Sequence, residues 1–172
     1  MALTKLNNQS LSAVTAAGIP TLASANMPTG SVLQVVNTIH AAEQTITGTT
    51  QTEYTGITTS ITPKVTGSKI YIMVNIMCGN QYNGGDWYSS RLYRDSTSNL
   101  VGGVCNFYFN TRYENIGPRL LHNQIDPTTT TAGTARTYKV YLNSEATAAG
   151  NLSINWSNNN SQSSMTLMEI AV

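Results

Sequence analysis

Charge is the property that this sequence has least of. Lys, Arg, Asp and Glu make up 10% of its 172 residues, whereas about 25% is usual in soluble domains. Nine basic residues against eight acidic ones give a net charge of +1. The nearest basic pair, Arg91 and Arg94, is offset by Asp86 and Asp95, so no Lys/Arg cluster exists to neutralise phosphates. We therefore expect no nucleic-acid partner.

Long apolar runs are also missing. No window approaches the roughly 18 apolar residues that a membrane-spanning helix needs. The first twenty residues lack the continuous apolar core, about 7–15 residues long, that marks a secretory signal. We expect a soluble protein with no membrane partner and no visible export route.

Cysteine and histidine are too few and too scattered for a metal or cofactor site. The sequence has two cysteines, Cys78 and Cys105, and two histidines, His40 and His122. It contains no CxxC, HExxH or GxSxG motif, so neither a zinc site nor a hydrolase triad is predicted. Both cysteines lie in predicted strands, either as buried free thiols or as a bridge between neighbouring strands. No cofactor and no metal are expected.

The acidic residues show no catalytic pattern. A glycosidase needs two carboxylates about 5–10 Å apart, but Asp86 and Asp95 flank a predicted strand and would lie at its opposite ends. Glu169 is the one acid deep inside a predicted strand, where we expect a satisfied edge or interface residue. The sequence therefore predicts no enzyme. A glycan hydrolase that uses Asp86 and Glu114 is the minor alternative.

What the sequence does have is regular alternation. Between residues 69 and 78, apolar side chains recur at every second position, a period that predicts a β-strand. One face of this strand would carry Ile70, Ile72, Val74, Ile76 and Cys78. The other would carry Tyr71, Met73, Asn75 and Met77. This second face is also largely apolar, so we expect it to be covered. Its cover is either the core of a monomer or a subunit interface made by Tyr71, Met73 and Met77.

Strands of this kind recur through the rest of the chain. About eight or nine short segments with alternating apolar residues follow one another after residue 31, with turn residues between them. No helical pattern appears. This spacing predicts an all-β fold, a jelly-roll-like antiparallel β-sandwich over residues 31–172. The pattern does not distinguish a jelly roll from another Greek-key sandwich.

Residues 1–30 differ from this β-domain. They are rich in Ala, Thr, Ser and Asn, and their apolar side chains are widely spaced. We interpret them as an extended N-terminal arm that folds only against a partner. The candidate attachment residues of the arm are Leu3, Leu6, Leu11 and Val14.

Two polar segments have the composition of a sugar-binding surface. Aromatic rings pack on the apolar face of a sugar, while amides and carboxylates bind its hydroxyls. The candidate glycan-contact residues are Tyr82, Asp86, Trp87, Tyr88 and Arg91 in the first segment, and Asn158, Asn159 and Asn160 in the second. The alternative interpretations are a hairpin with Trp87 in the core and an ordinary polar loop.

Several segments carry a resemblance in their order along the chain. They are MALTKLNNQSL at residues 1–11, PTGSVLQVV at 28–36, SITP at 60–63, GSKI at 67–70, DPTT at 126–129, TYKV at 137–140 and MTLMEIA at 165–171. In these segments the chain resembles small virion structural and tail-fibre-like proteins of tailed bacteriophages, especially those of cyanobacteria and marine bacteria. Residues 80–117 show no such pattern.

The resemblance implies a virion protein that is not an enzyme. It implies a homotrimer with a jelly-roll head, whose arm attaches to other virion proteins, in the capsid or the tail. We hypothesise a capsid decoration or cement protein, or a short appendage, assembled into the virion in the host cytoplasm. One alternative is a tail-fibre head that recognises a glycan on the host surface. Another is a free carbohydrate-binding module.

Overall fold

The computed structural model describes residues 27–80, 86–109, 119–145, 151–155 and 161–172. Most of the predicted arm, including Leu3, Leu6, Leu11 and Val14, lies outside these residues, as do Tyr82 and Asn158, Asn159 and Asn160. Within the described residues the chain forms eleven strands and one short 3-10 helix. None of these residues belongs to a helix long and apolar enough to span a membrane.

The strands form two sheets. The first contains β1 (Val32–His40), β2 (Gln44–Thr47), β5 (Lys69–Asn80), β8 (Arg119–Ile125), β10 (Asn151–Ile154) and β11 (Ser163–Ile170). The second contains β3 (Thr52–Glu53), β4 (Thr59–Ile61), β6 (Asp86–Arg94), β7 (Cys105–Phe109) and β9 (Arg136–Ser144). The 3-10 helix, Thr55–Ile57, lies between β3 and β4. Every pairing between these strands is antiparallel.

The register shows that the first sheet is four strands wide. β1 pairs with β11 and β2 with β10, and only residues 41–43 separate β1 from β2. Because so short a link cannot cross the sheet, β11 and β10 lie end to end along one edge of β5, opposite β8. The pairs β1/β2, β3/β4 and β10/β11 can each be counted as one interrupted strand, which leaves eight strands numbered 1 to 8 along the chain. In this numbering the strand order is 1-8-3-6 in the first sheet and 2-7-4-5 in the second. This is the strand order of a jelly roll, so the predicted fold class is confirmed.

The core lies between the two sheets and uses the predicted inner face of β5. The side chains of Ile70, Ile72, Val74, Ile76 and Cys78 are all buried. The second sheet contributes Tyr88, Leu92, Tyr138, Val140 and Leu142 to the same cluster. Tyr71, Met73 and Met77 point away from this core and are half-buried, so the described part of the chain does not fully cover the second face of β5.

Both cysteines are free thiols. They come from opposite sheets and line a cavity of about 110 Å³ together with Phe107 and Leu120. Burial raises the pKa of Cys78 to about 12, which keeps the sulfur protonated and unreactive at neutral pH. Of the two alternatives the structure has free thiols, but only Cys78 is buried, since Cys105 is half-buried.

One titratable pair joins the two sheets inside the core. His122 of β8 is 3% exposed, and its Nε2 lies 2.7 Å from the Oγ of Ser90 in β6. Burial lowers the pKa of His122 below its ordinary value near 6.5, because desolvation disfavours the imidazolium. The imidazole is therefore neutral in the folded protein at neutral pH.

We predict that this histidine makes the fold sensitive to mild acid. The unfolded chain takes up the proton first, so stability is full above about pH 6.5 and falls by about 1.4 kcal/mol per pH unit as the pH drops towards the folded pKa. His122→Gln places an uncharged amide near the Nε2 position and removes this dependence. Urea unfolding at pH 7.5 and 5.5 measures the effect. Equal pH dependence in the wild type and the variant would contradict the prediction.

Candidate functional site

The outer face of the first sheet, here called the apolar face, carries apolar side chains on all four strands with uncharged polar side chains between them. Its apolar residues are Val35, Ile39, Tyr71, Met73, Met77, Leu121, Ile125, Met168 and Ile170, and Asn37, Asn75, Asn123, Ser164 and Thr166 point outward among them. One row crosses all four strands, since Val35 lies opposite Met168, Met168 opposite Tyr71, and Tyr71 opposite Ile125. Ile125 is 59% exposed and Val35 54%. Contiguous exposed apolar area of this kind marks an interaction surface.

The charges of the apolar face lie at its two ends. Lys69 starts β5, and its Nζ is 3.4 Å from the carbonyl oxygen of Pro127. Arg119 starts β8, and its Nη1 donates to the Asn75 Oδ1 at 3.2 Å. The outward positions of the described strands β1, β5, β8 and β11 include no carboxylate. An uncharged centre with charges at the rim is the usual arrangement of a protein–protein interface.

The outer face of the second sheet is different in chemistry. It carries a shallow groove of about 390 Å³ lined by Trp87, Arg91, Val104, Asn106 and Glu145. We call this the aromatic groove. Tyr108 of β7 lies directly opposite Trp87 of β6, and their ring centroids are 5.0 Å apart at an interplanar angle of 42°. Both rings are largely exposed, Trp87 by 52% and Tyr108 by 47%.

A hydrogen-bonded network holds the polar wall of the aromatic groove. The Nη1 of Arg91 donates to the Asn143 Oδ1 at 2.8 Å, and its Nη2 donates to the Glu145 Oε1 at 3.2 Å. The Nδ2 of Asn143 also donates to that Glu145 oxygen, at 3.2 Å. Hydrogen bonds from Ser89, Asn143 and Arg91 hold the pKa of Glu145 below its usual value. Glu145 and Arg91 are therefore an ionised pair at neutral pH.

Alternation along β6 divides the predicted glycan-contact residues between two faces. Trp87 and Arg91 face outward into the aromatic groove, so the alternative that placed Trp87 in the core is wrong. The prediction for Asp86 and Tyr88 is corrected, because both are fully buried. Asp86 accepts a hydrogen bond from the Ser144 Oγ at 2.7 Å, and Tyr88 stacks inside on Phe107. Neither side chain reaches the surface.

Sequence reasoning missed three groove residues and one neighbour of the groove. The lining residues are Val104, Asn106 and Glu145, and the neighbour is Tyr108, whose ring packs on Trp87. Alternation with Phe107 does indicate that Tyr108 faces outward. Its position beside Trp87, however, depends on the register between β6 and β7, which no local pattern in the sequence contains.

The buried carboxylates are structural groups. The carboxylate of Glu169 accepts hydrogen bonds from the Ser68 Oγ at 2.7 Å, the Lys64 amide at 2.9 Å and the Gln34 Nε2 at 2.7 Å. Burial alone would raise the pKa of Glu169, but these hydrogen bonds lower it below its usual value. Glu169 thus lies inside the sandwich, and the prediction of an edge or interface position is wrong.

Asp126 forms a second buried centre. Its Oδ1 is 2.6 Å from the Nη1 of Arg94, and its Oδ2 is 3.1 Å from the Nη1 of Arg136 and 2.7 Å from the Tyr138 hydroxyl. Burial opposes ionisation, but the hydrogen bonds from Thr128, Arg94 and Tyr138 keep the pKa of Asp126 below its usual value. Because its oxygens are occupied by these donors, the Asp126 carboxylate stabilises the fold and is not available to bind a ligand. Among the described residues, no group of three His, Cys, Asp or Glu side chains is placed to hold a metal ion.

Comparisons with known proteins return similarity of structure only. No family model matches the chain, and no curated protein matches it. An Eiger TNF structure from S. frugiperda has a TM-score of 0.37 and 12% identity over 80% of this chain and 93% of its own. The structure of infectious bursal disease virus, Gx strain, has a TM-score of 0.38 and 11% identity over 81% of this chain. The VP2 subviral particle of that virus has a TM-score of 0.34 and 12% identity over 81% of this chain.

The chain spans 37% of each of these two viral chains, well under two thirds of their length. The neighbours are thus viral capsid proteins and a TNF-like protein, all at low identity. At these TM-scores the similarities carry no functional argument, and the proposals below are made from the chain itself.

We predict that the Asp126 centre is a large contributor to stability. Asp126→Asn leaves the Arg136 guanidinium without its counter-charge and leaves Arg94 only the half-exposed Asp95, 3.7 Å from its Nε, which should lower the free energy of unfolding by about 3 kcal/mol. Glu145→Gln is the matched control, since it removes an exposed acid from a pair with an arginine and should cost less than about 1 kcal/mol. Chemical denaturation at pH 7 measures both variants. Losses of equal size would contradict the prediction.

Proposed function

We propose that this chain is a homotrimeric structural protein of a tailed-phage virion, displayed on the particle as a capsid decoration protein or a short appendage. The observation that carries this proposal is the apolar face. Leu121 and Ile125 are each more than half exposed there, beside Tyr71, Met73 and Met77. Burial of such area stabilises association by about 25 cal/mol per Å², whereas its exposure on a monomer favours aggregation.

The partner we propose for this face is a second copy of the same chain. The rim groups Lys69 and Arg119 are both cations at opposite ends of the face, with no carboxylate on the outward positions of the described strands to attract them. The face therefore lacks the charge pattern that would select a charged partner. Its centre is uncharged, with the apolar row from Val35 to Ile125 beside the amides and hydroxyls of Asn37, Thr166 and Asn123, and is complementary to a second uncharged surface of the same kind. Three copies placed around one axis would bury these centres and leave the cationic rims in solvent.

Placement on a virion is supported by the sequence resemblance at the arm and at the start of the β-domain. The arm joins the domain where the Gly30 amide donates to the Ala171 carbonyl at 2.8 Å and the Ala171 amide to the Ser31 carbonyl at 2.9 Å. This junction lies beside the first residue of β5. An arm that leaves from one end of the sandwich is well placed to attach there, with the other end directed outward. Low charge also suits copies packed closely on a particle.

We predict that charge on the apolar face breaks the oligomer before it unfolds the domain. Met73→Asp introduces a carboxylate that would be desolvated between subunits. Sedimentation velocity at micromolar concentration should show a trimer for the wild type and a monomer for the variant, with the β-sheet circular dichroism signal retained. Leu100→Asp is the matched control, because Leu100 is 42% exposed outside this face, and it should remain trimeric.

Two outcomes would contradict the assembly proposal. A wild-type monomer at micromolar concentration would favour the free carbohydrate-binding module instead. A Met73→Asp variant that stays trimeric would place the interface elsewhere.

We predict that the arm is needed for attachment and not for trimer formation. Deletion of residues 1–26 removes Leu3, Leu6, Leu11 and Val14 but leaves every described strand intact. The truncated protein should sediment as the full chain does, yet be lost from purified virus particles. Mass spectrometry of those particles, with cross-linking of full-length arms to their neighbours, measures both. Undiminished incorporation of the truncated protein would exclude the arm as the attachment element.

A further inference from the structure

We propose that the aromatic groove is a binding site for a neutral saccharide. The groove joins the exposed ring of Trp87, which packs on that of Tyr108, to a polar wall made by Arg91, Asn106 and Glu145. The site stands independently of the proposed assembly, because it lies on the second sheet, on the opposite side of the sandwich from the apolar face.

The aromatic platform is the first part of the argument. Two adjacent exposed aromatic residues beside hydrogen-bonding groups are the combination that ligand sites use, because the rings supply apolar contact and the polar groups fix orientation. The ring centroids of Trp87 and Tyr108 are 5.0 Å apart and the rings are inclined by 42°, so they pack on each other while about half of each residue stays exposed. A pyranose ring has one face of C–H groups that can pack on exposed aromatic surface, while its hydroxyls project sideways.

The polar wall is the second part. Arg91 has five N–H donors, and three of them are used in bonds to Ser89, Asn143 and Glu145. These bonds hold the guanidinium in one orientation, with N–H groups left to donate to a ligand oxygen. The Asn106 amide lies beside them, on the exposed outward side of β7. A wall already ordered before binding loses little side-chain entropy when a ligand arrives.

Charge selects a neutral ligand. Arg91 and Glu145 are paired at 3.2 Å, so their charges cancel within the groove. The remaining lining side chains, Trp87, Val104 and Asn106, are uncharged. A phosphate or a sialic acid would meet the Glu145 carboxylate without a spare cation. Hydroxyl groups, which both donate and accept, match a wall that offers N–H donors and a carboxylate acceptor together.

The position of the groove also suits recognition. β5 runs from the arm junction at Lys69 to Asn80 at the far end of the sandwich, and β6 returns from that far end, with Trp87 as its second residue. Twelve residues of strand place these ends roughly 35 Å apart. If the arm holds the particle, as proposed above, Trp87 lies near the end of the sandwich that is remote from it. The saccharide would then be part of a glycan on the host surface that the particle contacts.

Tryptophan fluorescence provides a direct test on the full chain. The sequence has two tryptophans, Trp87 and Trp156, so a Trp156→Phe background leaves Trp87 as the only reporter. Neutral oligosaccharides of glucose, galactose, mannose and N-acetylglucosamine, first screened on a printed array, are titrated against this protein. We expect a saturable change in Trp87 emission and protection of Trp87 from acrylamide quenching.

The variants separate stacking from hydrogen bonding, with binding followed by calorimetry. Trp87→Ala should weaken binding about tenfold or more, while Trp87→Phe, which keeps a ring, should weaken it less. Arg91→Ala should also weaken it. Leu100→Ala is the control and should bind as the wild type does. Thermal melts verify that each variant is folded, and sedimentation of the same samples reports assembly separately.

Three results would overturn the proposal. One is the absence of binding by every neutral oligosaccharide on the array. Another is binding that Trp87→Ala leaves unchanged. The third is a preference for sialylated or phosphorylated glycans, since the paired charges in the groove exclude it. A monomeric protein that still binds through Trp87 would overturn the assembly proposal alone and leave the saccharide site standing.

Discussion

The register of β5 is the constraint on which the rest of the molecule depends. β5 pairs with β8 along one edge and with β11 and β10 along the other, so its phase sets the phase of its neighbours. Val74 lies between Met165 and His122 in a buried row, and Tyr71 lies between Met168 and Ile125 in an outward row. A slip of one residue would exchange these rows. The core and the apolar face are therefore two consequences of one pairing.

The two outer faces of the sandwich differ because their strands use different residue types between the inward positions. β5, β8 and β11 place Met, Ile, Leu and Tyr outward together with uncharged Asn, Ser and Thr, and their outward charges are confined to Lys69 and Arg119. β6 and β9 place Arg91, Tyr141 and Lys139 outward, and there Glu53 accepts from the Lys139 Nζ at 3.1 Å and from the Tyr141 hydroxyl at 3.0 Å. Such a surface is stable in water. It can expose an aromatic pair for reversible binding without becoming a second aggregation surface.

Local alternation in the sequence predicts much of this fold and less of the candidate site. It identifies β5 and assigns Ile70 and Tyr71 to opposite faces of this strand, because successive side chains of a strand point to opposite sides. It also places Trp87 and Tyr88 on opposite faces, but it cannot say which of the two is inside. That choice depends on packing against Phe107, a residue of the neighbouring strand. The same non-local pairing brings Tyr108 beside Trp87, and sequence spacing alone contains no such information.

Part of the small acidic complement of the chain lies in its interior. Three of the eight acidic residues, Asp86, Asp126 and Glu169, are fully buried. Each accepts bonds from residues distant in sequence, so the cost of desolvation is offset by several donors at once. Glu169, for example, holds residues 64–68 against β11. Charges committed to the interior are not available outside, and the charged groups at the outward positions of β1, β5, β8 and β11 are two cations, Lys69 and Arg119. Glu43, in the link between β1 and β2, accepts a hydrogen bond from the Ser153 Oγ of β10 at 2.6 Å, so this carboxylate is also held by the fold.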